Sequence, residues 1–88
     1  MKKIVSVIKP FVIQQNIFVY SDGEKEDIIS VPLDEIQNKL VEISYQYNIN
    51  EIELIGSKKY LKEIGNKIKE AEMNKYSNNN IIINIVTN

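Results

Sequence analysis

Residues 49–64 read Ile-Asn-Glu-Ile-Glu-Leu-Ile-Gly-Ser-Lys-Lys-Tyr-Leu-Lys-Glu-Ile, and the class of fold is decided there. A short apolar run, Ile52, Leu54 and Ile55, breaks at Gly56 and passes through Ser57, a favoured N-cap type, into helical spacing. A strand hands over to a helix at this point, as in an α/β unit. Towards the C-terminus, Leu61, Ile64, Ile68 and Ala71 share one helical face, with lysines and glutamates elsewhere. Asn78, Asn79 and Asn80 read as the turn out of the helix. Residues 81–86, Ile-Ile-Ile-Asn-Ile-Val, then read as a last strand that is apolar on both faces.

Towards the N-terminus, Leu33, Ile36, Leu40, Ile43 and Tyr47 predict another amphipathic helix. Pro32-Leu33-Asp34-Glu35 opens it, with acids at the positive end of the dipole and Asp34 and Gln37 spaced for a capping box. Asn48 followed by Ile49 predicts a left-handed cap with an apolar anchor. Residues 3–13 are β-branched and apolar on both alternating faces, which predicts a largely buried strand that bends near Pro10. Gln14, Gln15 and Asn16 read as a turn and residues 17–20 as a second strand. Asp22-Gly23 supplies a hairpin, and residues 27–31 are the third strand. The expected architecture is α/β (α+β): one domain over residues 1–88, in the order β-β-β-α-β-α-β, with a five-stranded mixed sheet. Both helices should lie on one face, because both crossovers to a parallel strand should be right-handed.

The composition narrows the chemistry. The chain has no cysteine and no histidine, so thiolate metal sites, disulfides, imidazole acid–base chemistry and the common acyl-transfer triads are all missing. All 11 basic residues are lysine, and without arginine specific nucleic-acid readout is not expected. No stretch reaches the roughly 18 apolar residues of a membrane span, and Met-Lys-Lys leads into a strand pattern rather than a signal peptide, so a cytoplasmic protein is expected. Residues 22–53 hold nine acids against Lys25 and Lys39, a balance of −7. The rest holds nine lysines against Glu63, Glu70 and Glu72, a balance of +6. Asp22, Glu24, Glu26, Asp27, Asp34 and Glu35 are therefore a candidate acidic surface for a basic partner. The excess of Ile, Asn and Lys follows AT-rich codons and suggests a low-GC bacterium or its phage.

The element order resembles the core of the ribonuclease-H-like fold, in which a meander is followed by two helix-strand units. Nucleases of that fold hold metal with carboxylates on the first strand and at the end of the fourth. Here residues 3–13 contain no acid and the fourth strand ends Ile55-Gly56-Ser57, so the resemblance implies the fold without the two-metal site. The opening Met-Lys-Lys-Ile-Val-Ser-Val-Ile-Lys-Pro-Phe resembles the first strand of the nitrogen-regulatory P-II signalling proteins, but the resemblance ends after these eleven residues, because that family follows with a helix where residues 12–20 read on as strand. The junction from Asn48 to Lys58, together with the composition, looks like short proteins carried by phages of low-GC Gram-positive bacteria.

Three candidate surfaces remain. Gly56, Ser57, Lys58, Lys59 and Lys62 stand where an anion could meet helix N-terminal amides, without the spacing of a P-loop. Glu51 and Glu53 alternate on one face of the fourth strand, and an exposed or wet face explains them without catalysis. Ile81, Ile83 and Ile85 mark an apolar edge strand in a sheet whose second face two helices cannot cover, which points to a homodimer. The expected function is a non-catalytic protein-interaction or inhibitor module without metal or cofactor. The alternative is a nucleotide- or phosphate-binding module at residues 56–62.

Overall fold

In the computed structural model, which describes residues 1–88, the chain opens with a meander of β1 (Lys2–Val7), β2 (Gln14–Ser21) and β3 (Glu24–Pro32). A 3-10 turn over Leu33–Glu35 leads into α1 (Ile36–Tyr47). There follow β4 (Glu51–Gly56), α2 (Lys58–Tyr76) and β5 (Ile82–Thr87). The strand order is β3-β2-β1-β4-β5, with β1–β2 and β2–β3 antiparallel and β1–β4 and β4–β5 parallel. Because β3, β4 and β5 all run with β1, each helix is a crossover between parallel strands, and both crossovers step the same way across the sheet. With one hand for both, the helices fall on one face, as expected from the sequence. No helix is long and apolar enough to cross a membrane.

The alternation of the strands follows this one-sided cover. Ile4 and Ile8, Ile17 and Val19, Val31, and Ile52 and Leu54 point under the helices and meet Ile36, Leu40, Ile43, Leu61, Ile64 and Ile68 in a single core. The other face is open, but its centre is partly covered by its own side chains. Val5 lies between Phe18 and Glu53 in the ladder and is only 9% exposed. Lys3 pairs with Glu53 at 3.5 Å, and Lys25 sits over the Phe18 ring. The apolar residues left bare on this face therefore lie at the sheet's margins: Ile28 on β3, and Ile82 and Val86 on β5.

Local signals account for most boundaries. Asp22 and Gly23 both take positive φ, the two-residue hairpin turn expected of that pair. Asn48 is left-handed and its N–H donates to the Ser44 carbonyl, while Ile49 is buried as the anchor behind it. Gly56 is required by contact, since a Cβ there would stand 3.2 Å from the Ile8 carbonyl and 3.4 Å from Leu61.

Three expectations are corrected. The first strand does not run to residue 13. It stops at Val7, the turn lies at residues 9–12, and Gln14–Asn16 belong to β2 rather than to a turn. Pro10 has no N–H to give a ladder, and the polar Gln15 is turned inward as a structural residue. The Asp34–Gln37 capping box does not form; the chain enters α1 through the 3-10 turn with no side-chain cap. Ser57 likewise occupies the N-cap of α2 without a side-chain bond.

The far end of α2 is held by a buried carboxylate. Glu72 is fully buried and accepts from the Tyr45 hydroxyl at 2.7 Å, from Asn80 N–H at 3.0 Å and from Ile81 N–H at 3.2 Å. The Lys69 ammonium lies 3.8 Å away and also donates to the Ile81 carbonyl. Tyr45 stacks on Tyr76 with centroids 3.7 Å apart, closing the cluster from outside. Burial alone would raise the carboxyl's pKa, but the bonds from Tyr45, Asn80 and Ile81 and the nearby Lys69 outweigh it, and the net shift is downward from 4.5. A depressed folded value stabilises above the unfolded pKa and is lost as pH falls through the folded one. Glu72→Ala should therefore cost about 3 kcal/mol at neutral pH, because it orphans buried donors. Urea titrations at pH 7 and pH 3 should show the gap between wild type and variant shrinking in acid.

Candidate functional site

Placing the first turn at residues 9–12 throws three large apolar side chains outward. Phe11 is 99% exposed, Ile13 78% and Val12 45%. Full burial of one such side chain gains about 1.5–3 kcal/mol, so the loop must be prevented from folding down. Its backbone explains why it stays up. Val12 N–H donates to the Lys9 carbonyl at 3.1 Å, a turn for which Pro10 presets φ at the second position. Gln15, 2% exposed, then binds the inside of the turn. Its Oε1 accepts from Lys9 N–H at 2.8 Å, and its Nε2 donates to the carbonyls of Lys9 at 2.7 Å and Val12 at 2.6 Å. Leu33 N–H donates to the Ile13 carbonyl at 2.7 Å and ties the loop to the start of the first helical segment. The side chains are free while the backbone is fixed, so little loop entropy remains to be lost on docking.

Beside the loop lies a shallow recess of about 600 Å³, lined by Phe11, Pro32, Leu33, Tyr60, Ile64 and Lys67. Apolar side chains dominate the lining and a lysine stands at its margin. The structure thus assembles the loop after β1, the loop after β3 and the first turns of α2 into one surface at the ends of β1, β3 and β4.

The residues singled out from sequence are distributed otherwise. The six acids do not form one patch. Asp22 is exposed at the β2–β3 turn and is ion-paired with the N-terminal amine at 2.9 Å, which lowers its carboxyl pKa. Glu24 and Glu26 are exposed along β3, whereas Asp27 is half-buried and accepts from the Tyr47 hydroxyl at 2.6 Å, a bond that raises the tyrosine's pKa. Asp34 and Glu35 lie past the other end of β3, separated from Glu24 by the length of that strand, about 26 Å at an extended rise. Around Gly56, Ser57, Lys58 and Lys59 are exposed, and Lys62 lines a recess with Ile83 and Ile85 beside β5. Of the self-association residues, Ile81 is 2% exposed and belongs to the core, and Ile83 packs towards α2 with its Cγ2 beside Gly65; Ile85 is partly open. Ile82 and Val86 are the apolar members of that strand on the open face. No three acids gather where they could hold a metal ion.

Comparison with family models, with curated proteins and with solved structures gives no match. The surface must be read from its own chemistry.

Sequence reasoning missed the loop because three consecutive apolar residues, Phe11-Val12-Ile13, continue an apolar strand pattern without a break. Pro10 was the available signal, since Lys9-Pro10-Phe11-Val12 has proline at its preferred turn position. Gln15→Leu would roughly keep the volume and remove every side-chain bond from this position to the loop, leaving Lys9 N–H and the Val12 carbonyl without a partner while the Lys9 carbonyl keeps Val12 N–H. It should cost about 2–3 kcal/mol in urea unfolding, and amide exchange should accelerate at Lys9 and Val12.

Proposed function

We propose that this chain is a non-catalytic protein-binding module of the cytoplasm, docking through Phe11, Val12, Ile13 and the recess beside them. The observation that carries the reading is an almost fully exposed phenylalanine on a loop whose backbone is fixed by a buried glutamine. Solitary exposed apolar residues are ordinary, but three adjacent ones rimmed by charge form the anchor-and-rim pattern of interfaces, where aromatic residues supply much of the affinity. The absence of histidine and cysteine from the sequence supports a non-catalytic role. The edge position of β5 agrees with the ribonuclease-H-like resemblance, which supplies a scaffold and no activity.

The recess sets what the partner must present. An apolar ridge or amphipathic segment fits against Leu33, Tyr60 and Ile64. An acidic rim on the partner would meet Lys67, whereas a basic one would meet Asp34.

Phe11→Ser and Ile13→Ser remove exposed side chains, so each should leave the unfolding free energy within about 0.5 kcal/mol of wild type. The experiment is a quantitative pull-down from the source cells with wild type, Phe11→Ser and Ile13→Ser, followed by titration of the recovered partner. The expected result is a partner held by wild type and weakened roughly a hundredfold by Phe11→Ser, the loss of one interface anchor. Equal binding by all three proteins would overturn the reading. So would saturable binding of a nucleotide or inorganic phosphate abolished by Lys58→Ala and Lys59→Ala.

A further inference from the structure

The two edges of the sheet are treated differently. β3 carries Glu24, Lys25, Glu26 and Asp27 in its first half, meets β2 with a register irregularity at Val19/Tyr20, and ends at Pro32. Charges, a bulge and a proline are the devices by which soluble proteins keep an edge from pairing. β5, Ile-Ile-Asn-Ile-Val-Thr, has none of them.

The backbone of β5 is also only partly satisfied. Ile82 N–H donates to the Asn50 carbonyl and Asn88 N–H to the Gly56 carbonyl, so the even-numbered residues use β4. By the alternation of a strand, Ile83, Ile85 and Thr87 turn their N–H and C=O groups away from the sheet. At Ile81, the next position back, both groups are already taken: its N–H by Glu72 and its carbonyl by Lys69. The edge is therefore closed at its start by side chains of α2 and open from Ile83 onward.

We propose that two copies of this chain pair through this open edge, antiparallel about a two-fold axis at Asn84, extending the five-stranded sheet into one of ten strands. The strand's own pattern selects both occupant and register, because Ile82-Ile83-Asn84-Ile85-Val86 reads as apolar, apolar, amide, apolar, apolar from either end. Centred on Asn84, Ile83 and the partner's Ile85 exchange backbone hydrogen bonds under the helices. On the open face Ile82 meets the partner's Val86, and the two Asn84 amides face each other. Moving the centre one position to Ile85 would set Asn84 against Val86 instead, an amide against an apolar side chain. β5 holds no charged residue, so a second copy meets no like charge along the strand. Lys62 is an exposed cation beside the edge on the helix side, and its long side chain can turn to water. A six-residue edge is short beside the roughly 1,200–2,000 Å² of stable interfaces, which makes this a micromolar dimer.

The experiment is sedimentation equilibrium across the micromolar range on wild type, Ile82→Lys, Val86→Glu and the double substitution. Ile82 and Val86 are 50% and 42% exposed, so these changes leave the core intact, and thermal unfolding of each variant checks this. Each single change puts one charge against an apolar partner at two symmetry-related places and should weaken dimerisation roughly tenfold. The double change sets lysine against glutamate at both places and should restore dimerisation to near the wild-type constant. The chain has no cysteine, so Asn84→Cys gives a second readout that survives any failure of the charge variants to fold. Non-hydrogen-bonded pairs lie about 4.5 Å apart at Cα, within disulfide reach, and this variant should crosslink quantitatively in mild oxidant. A wild-type chain monomeric at high micromolar concentration, absence of rescue in the double variant, or no crosslink at Asn84→Cys would each overturn the proposal. None of these outcomes bears on the Phe11 loop, which shares no residue with this edge.

Discussion

The parallel pairing of β1 with β4, over Ile4–Val7 and Ile52–Ile55, joins the two halves of this protein, and the other features depend on it. A parallel neighbour cannot be reached by a hairpin, so the chain must leave the sheet after β3 and return by a crossover helix. The same holds from β4 to β5. Gly56 permits the close approach at the end of this pair, where the Ile8 carbonyl and Leu61 occupy the space of a side chain. With one hand for both crossovers, the helices lie side by side on one face, and the fully buried aliphatic residues of the strands are the ones turned to that face.

One-sided cover leaves a face and two edges to be managed, and the molecule manages them unequally. The open face is partly hidden by its own side chains, with the Lys3–Glu53 pair and Phe18 around Val5. The β3 edge is guarded by charge and a bulge. At the β5 edge only Ile81, the residue just before the strand, is capped, by Glu72 and Lys69 reaching down from α2. Glu72 thus has two effects: it fixes the exit from α2, and it sets where the free edge begins.

Gln15 plays the matching part at the other end of the sheet. A domain of 88 residues buries about 60–65% of its unfolded surface and has little apolar area to leave unused. Phe11, Val12 and Ile13 stay in solvent because a buried amide binds the loop backbone on the inside, which would be lost if the loop collapsed. Holding an apolar loop open gives up the stability that burying those side chains would have supplied.

The sequence by itself determined the element order, the one-sided placement of the helices and most turns. Asp22-Gly23, Asn48-Ile49 and Gly56-Ser57 are local signals, and local backbone preference is a property of a few adjacent residues. It also fixed which chemistry is unavailable, since an absent histidine or cysteine needs no fold to be counted. The tertiary structure decided where the first turn falls, because apolar residues stand on both sides of Lys9-Pro10, and the turn is fixed by the inward Gln15 side chain and by the distant Leu33 N–H on the Ile13 carbonyl. It alone separated the six acids, turned Asp27 to Tyr47 and Glu72 into the core, and put Ile81 and Ile83 under α2 while leaving Ile82 and Val86 outside. Each of these is a choice between two faces or two ends of an element, and a pattern apolar on both faces cannot make it without the neighbour that packs against it.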